Sequence, residues 1–485
     1  MQHIQHYIDG QWQDSADGVT FESVSPIDNS VIAQVARGSV LDADRAVEAA
    51  RRAFDSGPWP RMSPTERKKI LHKAAALIEE RLEEFAAAET LDVGKPIAEA
   101  RSKDVPRAAY NLRFFADFAE FTHTETYAKP WDQVMTYTLR EPVGVAVCIS
   151  PWNFPLMLET WKIAPALAFG NTTVLKPAEQ SPLTAALLAQ AFHDAGMPPG
   201  VVNIVQGFGP DEVGERLTEH PGVDLITFTG ESTTGSAIMT KAASTLKRCS
   251  FELGGKSAAI VMADADLDKA VAGTIDGIFR NQGEVCLAGS RLMVQRPVYD
   301  EFCARYVAAA EALQVGDPRE ADTQVGPLVS PEHMEKVLSY IALGTAEGAK
   351  LLTGGTQLTD GVFAEGNYVA PTVFADVQNS SRIAQEEIFG PVQAIVPFDD
   401  VEDAIAMAND NRYGLAGMIW TTDLDTAHKV AREVRTGTMW VNCFFIRDLR
   451  APFGGMKDSG IGREGGTHSE EFFTEAKAVV MKFTS

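Results

Sequence analysis

The chain is short of positive charge. Its 485 residues include 43 lysines and arginines against 66 aspartates and glutamates, which gives a formal net charge of −23. Proteins that bind nucleic acids or anionic membranes neutralise phosphates with clustered lysine and arginine. We therefore expect neither partner, and an acidic surface of this kind mainly favours solubility.

Cysteine is also scarce. The five cysteines are far apart, none forms a C-x-x-C pair, and the nine histidines do not cluster beside them. An odd, scattered set is typical of free thiols in a reducing compartment rather than of a disulfide framework. We therefore expect a cytoplasmic protein without a metal site.

Long apolar runs are absent as well. No uninterrupted stretch could cross a bilayer, and the first residues lack the charged region and apolar run of a secretory signal. Hydrophobic residues make up 45% and charged residues 22% of the chain, as in ordinary globular proteins. The length predicts two or three domains.

What the sequence does contain is an alternation of short apolar runs with helix-length segments. Runs rich in β-branched residues occupy 143–149, 172–175, 201–205 and 225–229. This pattern predicts an α/β fold in which helices join parallel strands of a doubly wound sheet. A second alternation begins near residue 258 and predicts another α/β domain.

Ligands of such sheets bind beyond the carboxyl ends of the strands. Asn153, Lys176, Gly209 and Gly230 all fall at those ends. Their positions predict a dinucleotide crevice, although the Gly-x-Gly at 207–209 lacks the third glycine of the common fingerprint.

Three segments carry residues suited to carbonyl chemistry: Ser-Pro-Trp-Asn153, Phe-Glu252-Leu-Gly-Gly and Gly-Glu-Val-Cys286. A thiolate attacks carbonyl carbons, a carboxylate can activate the thiol or a later water, and an amide can hold a developing oxyanion. Each residue alone also has a plainer interpretation, as a buried cysteine, a solvated carboxylate or a helix cap.

Together these segments resemble the aldehyde dehydrogenase superfamily. Further matches follow in the family's order at 175–179, 228–230, 387–391 and 452–455. The resemblance implies NAD-dependent oxidation of an aldehyde to an acid through a cysteine thiohemiacetal and thioester. It makes Cys286 the nucleophile, Glu252 the activator of water, and Asn153 an oxyanion donor beside the Cys286 backbone N–H.

The resemblance also implies a domain division. A Rossmann-like NAD-binding domain would span 1–123 and 143–254, and a catalytic domain 255–454. A small β arm, 124–142 with 470–485, would pair subunits into a homodimer or homotetramer.

For NAD, the resemblance implies contacts from Ile149, Trp152, Lys176, Glu179, Gly209, Gly230, Ser232, Leu253, Glu387 and Phe389. Lys176 and Glu179 would hold the adenine ribose, and Glu387 the nicotinamide ribose. Glu231 departs from a serine that many members have, and its carboxylate would repel pyrophosphate unless it points away. Ser232 is predicted to take that serine's place.

Segments 105–113 and 441–450 resemble the branch that acts on ring-cleavage semialdehydes such as 2-hydroxymuconate and 2-aminomuconate semialdehydes. Because arginine suits bidentate recognition of carboxylate, Arg107 and Arg447 are predicted to bind the substrate carboxylate. The alternative is structural pairing of Arg447 or Arg450 with Asp448. Aromatic residues that could wall the pocket are Phe154, Trp161, Phe445 and Phe453.

Other functions stay open at this point. Broad-specificity, betaine-aldehyde and succinic-semialdehyde oxidation remain alternatives, as does a CoA-acylating enzyme, against which Glu252 counts. A structural or binding protein on the same fold that has lost its activity is a further alternative. The intact set of Cys286, Glu252 and Asn153 counts against it.

Overall fold

The computed structural model describes residues 2–483, in which two large sheets organise the chain. The strands are β1 (Gln2–Ile4), β2 (His6–Ile8), β3 (Gln11–Gln13), β4 (Thr20–Val24), β5 (Val31–Ala36), β6 (Thr126–Lys129), β7 (Val134–Pro142), β8 (Val145–Ile149), β9 (Thr172–Lys176), β10 (Val202–Ile204), β11 (Leu225–Thr229), β12 (Arg248–Glu252), β13 (Ala258–Val261), β14 (Arg291–Gln295), β15 (Lys350–Thr353), β16 (Thr372–Ala375), β17 (Val392–Phe398), β18 (Tyr413–Gly414), β19 (Ala416–Trp420), β20 (Thr438–Val441), β21 (Met456–Lys457), β22 (Gly460–Ile461) and β23 (Thr474–Lys482).

The α-helices are α1 (Val40–Asp55), α2 (Pro64–Glu80), α3 (Leu82–Val93), α4 (Ile97–Glu99), α5 (Val105–Glu120), α6 (Pro155–Ala168), α7 (Pro182–Ala195), α8 (Val213–Glu219), α9 (Ser232–Ala242), α10 (Leu267–Phe279), α11 (Tyr299–Glu311), α12 (Pro331–Ala346), α13 (Arg382–Gln385), α14 (Val401–Asn409), α15 (Leu424–Glu433) and α16 (Gly466–Phe473). None of the helices within residues 2–483 is long and apolar enough to cross a membrane.

The eight-stranded sheet has the order β22-β12-β11-β8-β9-β10-β2-β3. Its five central strands are parallel, and antiparallel strands border them on both sides. All four sequence-predicted strands lie in this parallel set, and their ends agree to within two residues.

Burial on both faces explains the continuous apolar runs of these strands. In β8, Ala146 and Cys148 pack into a core cluster with α2, α5 and α6, while Val147 and Ile149 pack into the cluster of α1 on the opposite face. The residue spacing of an amphipathic helix would instead have placed polar side chains on one face of the segment.

The seven-stranded sheet has the order β15-β16-β17-β14-β13-β19-β20, with all pairs parallel except β15 with β16. It begins at residue 258, where the second alternation was expected. The chain then returns to the first sheet, because β22 pairs antiparallel with β12.

The arm is a third sheet, in which β7 pairs with both β6 and β23. Residues 470–473, which were assigned to the arm, belong to α16, and strand pairing begins at Thr474. Residues 484 and 485 lie outside the described part of the chain, as does residue 1. The division into domains stays a prediction.

Candidate active site

Cys286 lies in the loop between α10 and β14, after a 3₁₀ turn at Arg280–Gly283. Small residues allow other backbone to approach it closely, since a Cβ built on Gly255 would lie 2.4 Å from the Cys286 carbonyl oxygen. Burial, followed by the charges of Glu387 and Glu252, raises the pKa of Cys286 to about 12. This shift favours the thiol form of Cys286 over the thiolate.

Glu252 is the last residue of β12 and is buried. Neither of its carboxyl oxygens has a hydrogen-bond partner among the described residues. Gly454 leaves room for this carboxyl, because a Cβ there would lie 2.8 Å from Glu252 Oε1. Burial, and then the charge of Glu464, raises the pKa of Glu252 well above its usual range. A raised pKa makes the carboxylate a stronger base.

Lys162 and Glu464 form a buried polar cluster beside Glu252 that the sequence did not reveal. Glu464 accepts hydrogen bonds from Trp161 Nε1, from Lys162 Nζ at 3.4 Å and from Thr227 Oγ1 at 3.3 Å. The charge of Lys162 opposes the rise in the pKa of Glu252. The available signal was a lysine inside the largely apolar helix α6.

Asn153 ends up beside the cysteine loop. Its Nδ2 donates to the Glu284 carbonyl oxygen at 2.8 Å, and both residues are buried. Phe154, with no side-chain hydrogen bond, occupies the cap position of α6. The helix-cap interpretation of Asn153 is therefore wrong. Its amide is hydrogen-bonded instead to a carbonyl oxygen that lies two residues before Cys286 in the loop.

A cleft of about 460 Å³ opens beyond the carboxyl ends of β8, β9 and β11. The predicted cofactor residues that line it are Ile149, Trp152, Lys176, Glu179, Gly209 and Gly230. A Cβ built on Gly209 would meet no atom within 4 Å, so a side chain there would enter open space.

Four other predicted cofactor residues lie outside this lining. Glu387 accepts a hydrogen bond from the Gly255 N–H at 2.9 Å. Phe389 makes an edge contact with Trp152, at 5.4 Å between ring centroids, which joins it to the cleft wall. Leu253 lies beneath α9, against Gly235.

Ser232 is the least favourable of the predicted contacts. Its hydroxyl donates to the Asp458 carbonyl at 2.9 Å, because the segment before β22 runs past the start of α9. The hydroxyl is thus already engaged as a donor, and its predicted contact with the pyrophosphate stays a prediction. Glu231 lies in the cleft lining, and its Oε1 is 3.6 Å from Lys336 Nζ, which partly offsets its charge.

These features suit a dinucleotide. No side chain caps the first turn of α9 among the described residues, and the free N–H groups of such a helix start favour a phosphate group. Glu179 has a side chain that is 32% exposed, and Lys176 Nζ lies 3.4 Å from its carboxylate. Trp152 lines the cleft and Phe389 meets its ring edge-on, so this part of the wall is aromatic and apolar, as the binding of a nicotinamide or adenine ring requires.

The predicted substrate residues converge on one cluster. The Arg447 guanidinium lies over the rings of Phe453 and Trp161, at 3.6 and 4.7 Å from their centroids, and Arg107 lies over Trp161 at 5.9 Å. Phe154 faces Phe445, at 6.0 Å between centroids.

Asp448 pairs with Arg450 at 2.6 Å. Arg447 has no ion pair within 4.0 Å among the described residues, and its Nη2 is buried without a hydrogen-bond partner. Burial, and then the charge of Arg107, lowers the pKa of Arg447 to about 9, while Glu252, Glu464 and Cys286 act in the opposite direction. The guanidinium therefore feels the charges of Glu252 and Glu464 but forms no ion pair within 4.0 Å among the described residues.

Comparison with known proteins identifies the family. Residues 12–479 match the model of the aldehyde dehydrogenase family. The chain is 49% identical over 486 residues to 2-hydroxymuconic semialdehyde dehydrogenase of Pseudomonas sp. (strain CF600), covering 99% of this chain and 100% of the relative. It is 46% identical over 486 residues to 2-aminomuconic 6-semialdehyde dehydrogenase of Pseudomonas sp, covering 99% and 98%.

A solved structure of indole-3-acetaldehyde dehydrogenase in complex with NAD+ matches with a TM-score of 0.97 and 44% identity, over 100% of this chain and 97% of that one. The chain belongs to the aldehyde dehydrogenase family and is an enzyme. The predicted family and α/β fold are confirmed.

Proposed function

We propose that this enzyme oxidises a semialdehyde that bears a remote carboxylate, with NAD as the cofactor. The observation that carries this proposal is Arg447, a half-buried residue whose Nη2 is buried without a hydrogen-bond partner and which has no ion pair among the described residues. Its guanidinium lies close enough to Glu252 and Cys286 for their charges to oppose the lowering of its pKa by burial. A buried cation without a countercharge is costly unless a ligand supplies one. The names of the two Pseudomonas relatives support the same substrate class.

The chemistry follows from the roles proposed for three residues. The Cys286 thiol loses its proton to solvent, its sulfur attacks the aldehyde carbon, and the electron pair of the carbonyl moves to oxygen, which the Asn153 amide and the Cys286 N–H stabilise. NAD, when bound, supplies the acceptor for the hydride that leaves this carbon. Glu252 then takes a proton from the water that attacks the thioester, the carbon–sulfur bond breaks, and the leaving sulfur takes up that proton as the acid is released.

For the cofactor, we propose that Ile149, Trp152, Lys176, Glu179, Gly209 and Gly230 hold the dinucleotide, and that Glu387 and Phe389 hold its nicotinamide end. The hydrogen bond from the Gly255 N–H supports this role for Glu387, because it keeps an acceptor oriented in a buried site. The NAD+ named with the solved relative supports the choice of cofactor.

For the substrate, we propose that Arg447 and Arg107 bind the remote carboxylate, with Trp161, Phe154 and Phe453 as the walls. Two guanidinium groups on one aromatic cluster can bind a planar carboxylate at one end of a flat chain. A broad-specificity aldehyde dehydrogenase, which is the alternative, would not need two cations on this aromatic cluster.

Steady-state turnover on a panel of aldehydes tests the proposal. The panel pairs carboxylated semialdehydes with neutral aldehydes of the same length. We expect the carboxylated members to have the higher kcat/KM, and equal values across each pair would reject the proposed substrate class.

We also propose that the arm joins copies of the chain into a homodimer or homotetramer. Tyr127 and Val480 on the arm sheet are 60% and 66% exposed, and Trp131 in the turn between β6 and β7 is 94% exposed; large apolar side chains on one small arm favour a partner surface. Light scattering on Trp131→Glu tests this, because the charged variant should have a lower molar mass.

A cytoplasmic location is proposed on the ground that all five cysteines are free. Free, scattered thiols are typical of a reducing compartment.

A further inference from the structure

One buried side chain joins the two loops that carry the proposed oxyanion donors. Asn281 Nδ2 donates to the Asn153 carbonyl oxygen at 2.9 Å and to the Glu284 carbonyl oxygen at 3.3 Å. Asn153 Nδ2 donates to the same Glu284 oxygen at 2.8 Å. The three residues thus form a closed network between the loop after β8 and the loop that precedes Cys286.

This network determines where the Asn153 amide points. An amide nitrogen carries two hydrogens, and Glu284 takes one, which leaves the other for a substrate oxygen. The carbonyl that anchors Asn153 lies two residues before Cys286, whose backbone N–H is the second proposed donor. A shift of one loop against the other would separate the two donors, and oxyanion stabilisation requires donors within about 2.7–3.1 Å of the oxyanion.

The backbone of this turn adopts an unfavourable conformation. Asn281 and Gln282 have φ of 48° and 47°, and Gly283 has φ of 80°. Non-glycine residues rarely adopt positive φ, and asparagine is among the types that do so most readily. The side chain of Glu284 holds this turn in place. Its carboxylate accepts hydrogen bonds from the Val329 N–H at 2.9 Å and from Gln282 Nε2 at 3.0 Å. Strained backbone that the surroundings enforce is characteristic of functional sites.

We propose that Asn281 is a positioning residue of the oxyanion hole, which keeps the Asn153 amide and the Cys286 N–H in register. This inference rests on the proposed function, because it assigns Asn281 to the acyl chemistry of Cys286. Asn281 itself does not touch the substrate, and it acts through the two carbonyl oxygens that it holds.

The test uses Asn281→Asp in the full-length enzyme. Aspartate has the same shape and tolerates positive φ, but an ionised carboxylate cannot donate to the two carbonyls. We expect kcat/KM to fall about 10 to 100-fold, less than the loss from removing an oxyanion donor outright. The affinity for NAD, measured by calorimetry, and the rate of Cys286 alkylation by iodoacetamide should stay within about twofold, because alkylation at a saturated carbon develops no oxyanion.

A double-mutant cycle with Asn153→Ala separates positioning from general damage. If Asn281 acts through Asn153, the double variant should be no slower than Asn153→Ala alone. Multiplied losses, or a fall in the alkylation rate that matches the fall in kcat/KM, would overturn the inference. If the aspartate variant does not fold, Asn281→Gly keeps the positive φ available and enters the same cycle.

The wild-type enzyme distinguishes the two proposals. Turnover of aldehydes by the wild type together with multiplied losses in the cycle would reject only the role of Asn281. A wild type that oxidises no aldehyde of the panel would reject the proposed function and this inference with it.

Discussion

The guanidinium carbon of Arg447 lies 3.6 Å from the centroid of the Phe453 ring. This contact places the cation on the segment that also supplies Gly454, whose missing side chain makes room for Glu252. One short stretch of chain thus shapes both the proposed carboxylate site and the space around the proposed base.

Removing the charge of Arg447 should affect carboxylated substrates selectively. A charge-assisted hydrogen bond contributes about 1.5–3 kcal/mol, so Arg447→Met should lower kcat/KM for a carboxylated semialdehyde about 10 to 150-fold. A neutral aldehyde of equal length should change little. The matched control is Arg450→Met, since Arg450 is exposed and paired with Asp448. Equal losses on both substrates would mean that Arg447 only supports the loop.

Replacing the nucleophile should separate binding from chemistry. We expect Cys286→Ala to abolish aldehyde oxidation while NAD affinity, measured by calorimetry, is retained, because the thiol lies outside the cleft lining at β8, β9 and β11. Cys443→Ala is the control, since this free thiol packs at the same core cluster. Residual oxidation in the Cys286 variant would assign the nucleophile elsewhere.

Replacing Glu252 should stall the second half of the reaction. In Glu252→Gln we expect a rapid burst of NADH formation followed by slow turnover, because the amide cannot accept a proton from the deacylating water. Stopped-flow absorbance at the NADH band measures both phases. Absence of the burst would show that Glu252 already acts when the thiol attacks.

The same substitution should raise stability at alkaline pH. Because the pKa of Glu252 is raised in the folded protein, the folded chain keeps this proton at pH values where the unfolded chain has released it. Its contribution to the free energy of unfolding therefore falls as pH rises above 4.5, the ordinary value, through the raised pKa. Glu252→Gln should gain Tm relative to wild type at pH 8 and lose that gain near pH 4.5. A Tm difference that does not vary with pH would contradict this.

Cofactor choice should depend on Glu179. A carboxylate that binds ribose hydroxyls repels the 2′-phosphate of NADP, so NAD should have the higher kcat/KM. Lys176 Nζ lies 3.4 Å from Glu179 Oε2 and partly offsets that repulsion. Glu179→Ala should therefore improve NADP relative to NAD. Comparable kcat/KM values with NAD and with NADP in the wild type would contradict the role assigned to Glu179.

Residues that follow strands were the easiest to predict. Because parallel strands end at one edge, Trp152, Lys176 and Gly230 had to lie near one another once the strands were recognised. The motif around Cys286 likewise predicted which loop carries the proposed nucleophile.

Contacts between segments that lie far apart in the chain could not be predicted from the sequence. The engagement of Ser232 by the Asp458 carbonyl depends on β22 returning to the first sheet, a connection that no local pattern encodes. Glu464 and Lys162 are separated by about three hundred residues, and only the packed structure brings them together. The role proposed for Asn281 likewise depends on which carbonyl oxygens its side chain reaches in the folded chain.

The return of the chain at β22 has a consequence for ligand binding. The segment that carries Arg447 and Phe453 starts from β20 in one sheet and ends at β22 in the other. Any change in the separation of the two sheets must alter this segment, whichever ligand causes the change. If one ligand changed that separation and so altered the affinity for the other, the second ligand would change the affinity for the first by the same factor.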